Sequence, residues 1–306
     1  MPADSRADHG LELAAQGVSP APEGVLYACS GDYYVAEALR SARSSLRFNK
    51  LPHLLITSGE AGASAGGAGG AGAGGTGAGE AAGVEGLSVA HYEPSQNPYA
   101  DKIANMRRSP FERTLYLDSD TYVVDEIAHV LGLLDHYDLA VAYAPAYRGL
   151  ADPQVPAAFY EFNTGVLAWR ASERVAEFMR DWEATYLAWL EDEPFAGATK
   201  ASRGGRADQP AFRRCAWQHG LSVFVLAPEY NLRLGYPTTV VDRVRVIHGN
   251  HEDFEALAAR INASERPRTW PPPLTPREKV ERRVRKAAGL APKRPKNRPG
   301  WRADAA

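Results

Sequence analysis

Residues 115–120 read Leu115-Tyr116-Leu117-Asp118-Ser119-Asp120, an apolar run that ends in two carboxylates one residue apart. With Arg113 and Thr114 before it, the run predicts a strand over 113–117 that stops at Asp118. Side chains two apart on an extended chain point the same way, so both carboxylates reach one site beyond the strand's carboxyl end. Two hard oxygen ligands suit Mg²⁺ or Mn²⁺, which keep coordination positions open for water and substrate phosphates. The competing reading of the same two acids is a pair of solvated loop residues. Their place at the end of a strand deep in the chain favours the site.

Working outward, 25–30 is a short apolar strand that runs into Gly31-Asp32. Residues 34–46 carry Val35, Ala38, Leu39, Ala42 and Leu46 at helical spacing, and 53–57 and 87–92 read as second and third strands. Residues 100–106 predict a helix, 126–134 another, and 138–143 a strand. Further on, 165–169 is a strand and 172–190 a long helix with an aromatic stripe at Phe178, Trp182, Tyr186 and Trp189. A helix over 208–218 starts at Asp208, and a late strand over 244–247 ends at His248. Strands alternating with helices predict an α/β fold with a mixed, mainly parallel sheet flanked by helices. In such sheets ligands bind at the carboxyl ends of the strands. The packed part, 24–58 plus 87–262, suits one domain, numbered 24–262 with its insertion.

Two regions distort the averages. Of the 28 residues at 59–86, 13 are glycine and 9 alanine, with no aromatic, lysine or arginine. A phosphate-binding loop needs fixed glycine spacing opening a helix, usually with a lysine, so this tract reads as a flexible surface insertion. The second region is 266–306, which holds 13 Lys or Arg against 3 Asp or Glu. The whole chain carries 35 basic and 37 acidic residues, so a net charge of -2 is an acidic body cancelling a basic, Pro-rich tail. The tail, taken as 263–306, contains a short predicted amphipathic helix over 276–290 with Val280, Val284 and Ala287 on one face. Such a helix suits an anionic membrane surface, and a merely solvated tail is the competing reading. No nucleic acid partner is expected, since Trp301 is the tail's one aromatic beyond the prolines. No stretch approaches 18 apolar residues. The polar start, 1–23, reads as a flexible N-terminus and not a signal peptide. Cys29 and Cys215 read as reduced core residues. The expected location is cytoplasmic, peripheral at the inner membrane face if the tail binds lipid.

Five stretches in order resemble the GT-A fold nucleotide-sugar glycosyltransferases, closest to glycosyltransferase family 8 and related bacterial nucleotide-diphospho-sugar transferases. They are Gly31-Asp32-Tyr33-Tyr34, Arg113 through Asp120, Phe162-Asn163-Thr164-Gly165-Val166, Asp208-Gln209-Pro210-Ala211-Phe212 and Val246-Ile247-His248. The resemblance covers most of 24–253. It implies a metal-dependent transferase that moves a sugar from a UDP-sugar or similar donor to an unknown acceptor with retention. It implies Asp118, Asp120 and His248 as ligands of Mn²⁺ or Mg²⁺. Asp32 and Tyr34 would hold the nucleoside, with Ser119 and Gly165 alongside the donor. Asn163, Asp208 and Gln209 would face the sugar. Each has a plainer alternative: a cap on the first helix for Asp32, a turn before a strand for Asn163, a helix N-cap for Asp208. His251 competes with His248. The chain departs from family 8 at Gly249-Asn250-His251-Glu252-Asp253, which lacks the lysine that touches the diphosphate. Lys102 is assigned to the donor in its place, with Arg107 and Arg108 as alternatives. Rival functions are a non-catalytic nucleotide-sugar-binding protein, an aspartate-nucleophile phosphatase and a nucleotidyltransferase.

Overall fold

The computed structural model describes residues 12–58, 84–95, 97–144, 152–191 and 208–270, with Val280 and Val284 beyond them. Strand β1 (Ala21–Cys29) lies at the heart of the sheet, with Val25, Leu26 and Tyr27 wholly buried. Burial on both faces is why it reads as a continuous apolar run and not an alternating one. Gly31, at φ 86, lets the chain turn sharply from β1 into α1 (Asp32–Leu46). Helix α1 buries Val35, Ala38, Leu39 and Ala42, one stripe at the 3.6-residue period.

β2 (His53–Ser58) and β3 (Leu87–Tyr92) pair in parallel, so the Gly/Ala tract joins opposite ends of neighbouring strands. Only Val84, Glu85 and Gly86 of that tract lie among the described residues, and Val84 is buried. Next come α2 (Pro98–Arg107), β4 (Phe111–Leu117), β5 (Thr121–Val123) and β6 (Leu139–Tyr143). Asn97 caps α2 by accepting from the amides of Tyr99 and Ala100, and Pro98 stands at the first helical position, where a missing N–H costs nothing. β7 (Phe162–Arg170), α3 (Glu173–Glu191), α4 (Gln209–Gln218) and β8 (Val223–Leu226) complete the main body.

The seven-stranded sheet runs β3-β2-β1-β4-β7-β6-β8. β7 is antiparallel to both of its neighbours, and every other pair is parallel. One face packs against α2, α3 and α4, where Phe178, Trp182 and Phe212 meet edge to face or stacked. The other face packs against α1 and a 3₁₀ helix at Ala128–Asp135. A smaller sheet, β5-β11-β9, uses β9 (Leu232–Arg233) and β11 (Val246–His248). β10 (Thr238–Val240) pairs with β12 (Arg268–Trp270), and α5 (Phe254–Ile261) closes this third cluster.

The sequence expectations hold for the order and type of most elements. Four differ. The helix expected at 126–134 is the 3₁₀ helix, whose opening amides at Ile127 and Ala128 are held by Asn49 Oδ1 at 3.0 Å each. The strand expected at 165–169 begins at Phe162, so Asn163 sits inside β7 and not in a turn before it. The late strand belongs to the smaller sheet. The packed body is also longer at both ends than 24–262. Leu13, Val18 and Trp270 are 2%, 5% and 5% exposed, and residues this apolar are anchored by the core they join. The amphipathic helix expected over 276–290 lies outside the described residues apart from Val280 and Val284, which are helical and exposed.

Candidate active site

β4 delivers Asp118 to the carboxyl edge of the main sheet, and the chain then turns. The amide of Thr121 donates to the Asp118 carbonyl at 3.1 Å, and Thr121 Oγ1 donates to the same carbonyl at 2.8 Å. Asp118 and Asp120 are thus brought together by a tight turn between β4 and β5, not by strand alternation. β11 pairs with β5 and places His248 opposite Thr121. The amide of Gly249 donates to the Asp120 carbonyl, which ties the end of β11 to the turn.

Asp118, Asp120 and His248 each offer one ligand atom, all within 4.8 Å of one another. His248 Nε2 lies 3.0 Å from Asp120 Oδ1 and 3.9 Å from Asp118 Oδ2. Its Nδ1 lies 2.7 Å from Asn231 Oδ1, and Asn231 Nδ2 donates to Asn163 Oδ1 at 2.8 Å. An amide oxygen at Nδ1 selects the tautomer with hydrogen there and turns Nε2 toward the carboxylates. Two carboxylates and one oriented imidazole form a donor set that fits a divalent cation. Burial opposes ionisation of Asp120, but the charge and hydrogen bond of His248 and the charge of Arg233 hold its carboxyl well below the usual range.

Gly165 makes room for this set. A Cβ built there would overlap the His248 ring and lie 2.6 Å from Asp118 Oδ2. Its carbonyl accepts from the Asp118 amide at 2.9 Å, so backbone contact and close approach both act at one residue.

Behind the triad lies a second charged cluster. Lys102 on α2 sends Nζ to Asp118 Oδ1 at 2.9 Å and Asp208 Oδ2 at 3.3 Å, and donates to Thr164 Oγ1 at 3.1 Å. Thr164 Oγ1 donates to Asp208 Oδ2 at 2.9 Å. Burial works against the Lys102 charge, yet the two carboxylates push its pKa above the ordinary lysine value. Asp118 therefore divides its oxygens: Oδ1 serves Lys102 and Tyr116 Oη (2.9 Å), while Oδ2 faces His248. Asp208 precedes α4 yet makes no side-chain cap hydrogen bond, which removes the N-cap reading. Its carbonyl accepts from the indole of the wholly buried Trp182 at 3.0 Å, fixing the site to the core.

The other expected residues fall as follows. Asp32 is exposed at the end of β1, with Tyr33 and Tyr34 61% and 50% exposed. The two tyrosine rings meet edge to face at 5.3 Å, and Asn250 Nδ2 donates to Tyr33 Oη. Ser119 is half-buried in the turn, and Gln209 half-buried at the first residue of α4. Asn163 is 1% exposed, and its amide oxygen accepts from Asn231 Nδ2 and the Gly165 amide, which links it to the histidine through Asn231. His251 Nδ1 accepts from the Asp253 amide and its ring meets Phe254, away from the triad. Arg107 and Arg108 are engaged by Glu183 and Glu12.

Sequence reading missed Thr164, Asn231 and Tyr116, although Tyr116 is two residues before Asp118 and so shares its side of the strand. It also missed Glu161. That side chain is 7% exposed; among the described residues its Oε2 has no hydrogen-bond partner, and Arg213 Nε lies 3.9 Å from it. Burial, opposed by Arg213 and reinforced by Asp208, pushes its carboxyl up to about 7.

No family model and no curated protein matches this sequence. Solved structures do. Glycosyltransferase GlyE of Streptococcus pneumoniae TIGR4 aligns at 16% identity and a TM-score of 0.50, over 76% of this chain and 56% of that one. Galactosyltransferase LgtC, solved in complex with donor and acceptor sugar analogues, aligns at 14% identity and a TM-score of 0.49 over 78% of this chain and 94% of that one. Mouse xyloside xylosyltransferase 1 aligns at 17% identity and a TM-score of 0.45, over 74% and 98%. The GlyE alignment shows the shared architecture: this chain has the GT-A glycosyltransferase fold.

Proposed function

We propose that this protein is a divalent-metal-dependent glycosyltransferase that moves a sugar from a UDP-sugar to an acceptor hydroxyl, with retention. The observation that carries this reading is the convergence of Asp118, Asp120 and His248 beside the Lys102–Asp208 pair, at the carboxyl edge of the sheet. Glycosyl transfer breaks the bond between an anomeric carbon and a diphosphate, so negative charge builds on the departing oxygens. A cation held by the triad supplies Lewis acidity for that charge. The protein's own groups do the rest. Asn163 and Asn231 orient His248. Gly165 leaves the space a side chain would fill. Lys102 bridges Asp118 and Asp208 through its ammonium group, and Gln209 is assigned the contact with the reacting face of the sugar. Asp32, Tyr33 and Tyr34, exposed at the adjacent strand end, suit a nucleoside that stacks and accepts hydrogen bonds. The basic tail is assigned to an anionic membrane surface, which liposome co-sedimentation of the chain with and without 266–306 tests.

The decisive measurement is UDP binding by calorimetry with and without Mn²⁺, followed by UDP release from a panel of UDP-sugars. Wild type binds UDP only with Mn²⁺ and turns over one donor. Asp120→Ala loses the Mn²⁺-dependent affinity by on the order of 100-fold or more. Unchanged affinity in that variant removes the metal assignment. Tight binding with no turnover on any donor identifies a binding protein instead.

A further inference from the structure

A nucleoside diphosphate carries more negative charge than one divalent cation cancels, and the expected lysine after the late-strand histidine is missing. The candidate cations are already committed: Lys102 to Asp118 and Asp208, Arg107 to Glu183, Arg108 to Glu12. Arg233 is not. It lies on β9, which pairs in parallel with β11, and its register partner is His248 itself. Residues paired across a sheet project from the same face, so the Arg233 side chain leaves β9 on the side from which His248 enters the metal triad. Its strand is firmly seated: Leu232 and Leu234 are 0% and 2% exposed, and the Leu234 amide donates to the His248 carbonyl at 3.0 Å. The guanidinium lies 5.3 Å from the centroid of the Tyr236 ring. Among the described residues no carboxylate lies within ion-pair distance of it, although its charge is felt at Asp120.

We propose that Arg233 is the diphosphate-binding cation of this site, donating a two-pronged pair of N–H bonds to the phosphate oxygens of the donor. This rests on the glycosyltransferase reading above. A guanidinium fork matches two phosphate oxygens in geometry and stays charged at any working pH. The Tyr236 ring beneath it fixes the plane of the fork before the ligand arrives, so less side-chain freedom is lost on binding. Half-buried on a short strand and not on a loop, Arg233 is open to solvent yet held in place.

The test is calorimetric titration of UDP and of uridine, both in saturating Mn²⁺, into wild type, Arg233→Ala and Arg233→Lys. Arg233→Ala weakens UDP by roughly 10- to 100-fold, the order expected for charged hydrogen bonds, and leaves uridine within twofold. Arg233→Lys recovers part of the loss, because charge remains but the fork is gone. Arg233→Gln, which still covers Tyr236, replaces the alanine variant if that one does not fold. Unchanged UDP affinity in either variant overturns the proposal, as does an equal loss for uridine and UDP, which marks a general distortion. Wild type that binds no UDP in Mn²⁺ overturns the glycosyltransferase reading, and this inference with it.

Discussion

Two polar networks meet at the turn after β4, and they are built on opposite principles. On the α1 side, Ser41, Ser44, Ser45, Asn49 and His53 satisfy one another and the backbone. Ser41 Oγ meets Thr121 Oγ1 at 2.7 Å, Ser44 Oγ accepts from the Val123 amide at 2.9 Å, and Ser45 Oγ meets His53 Nε2 at 2.8 Å. Every group there is neutral or held neutral: burial lowers His53 to about 4. On the other side, carboxylates, a lysine and a histidine are pressed together, with ligand atoms of Asp118, Asp120 and His248 converging on one point. A closed neutral network rigidifies a fold, whereas crowded charges raise free energy unless a ligand compensates them.

Gly165→Ala strikes the charged side hardest. With a methyl group driven into His248 and Asp118, Mn²⁺-dependent UDP affinity falls by about 10- to 100-fold, from an overpacking cost of about 1–3 kcal/mol. Calorimetry that finds wild-type affinity would show that the triad tolerates displacement and is not the metal site. Ser45→Ala strikes the closed side. It leaves His53 Nε2 unpaired and lowers unfolding free energy by about 1–3 kcal/mol in urea, with UDP affinity unchanged. Loss of UDP affinity in Ser45→Ala would erase the distinction between the two networks.

His53 of the neutral network and Glu161, whose carboxyl feels Asp208, titrate in opposite senses. The folded-state pKa of His53 is depressed, so its neutral burial supports the fold above about 6.5, and that support is lost as pH falls toward 4. The folded-state pKa of Glu161 is raised, so its contribution is full below about 4.5 and is lost as pH rises through 7. Glu161→Gln therefore stabilises the protein at pH 8 by roughly 1 kcal/mol and leaves stability at pH 5 nearly unchanged. Equal effects at both pH values would show that Glu161 is not protonated in the fold.

Much of this was legible in the sequence because it depends on local periodicity. The apolar runs of β1, β2 and β4 and the stripe of α1 follow from burial of neighbouring residues. The same local signal is present for α5, where Asp253 caps a helix with Phe254, Leu257, Ala258 and Ile261 on one face. The two- and three-residue strands β5, β9, β10 and β12 are too short to show a period. The turn that competed with the sugar-facing reading of Asn163 is absent, because β7 continues through that residue alongside β6, a long-range pairing that local spacing does not encode.

By itself, the sequence determined the chemical inventory: which strand ends in carboxylates, which histidine follows a late strand, and that the expected lysine is absent. Those facts are properties of adjacent residues. Only the tertiary structure decided the pairings across distance. It set Asn231 behind His248, Lys102 between Asp118 and Asp208, and Arg233 opposite His248. Such contacts join residues 15 to 106 positions apart, and no local spacing encodes which side chains a sheet edge will bring together.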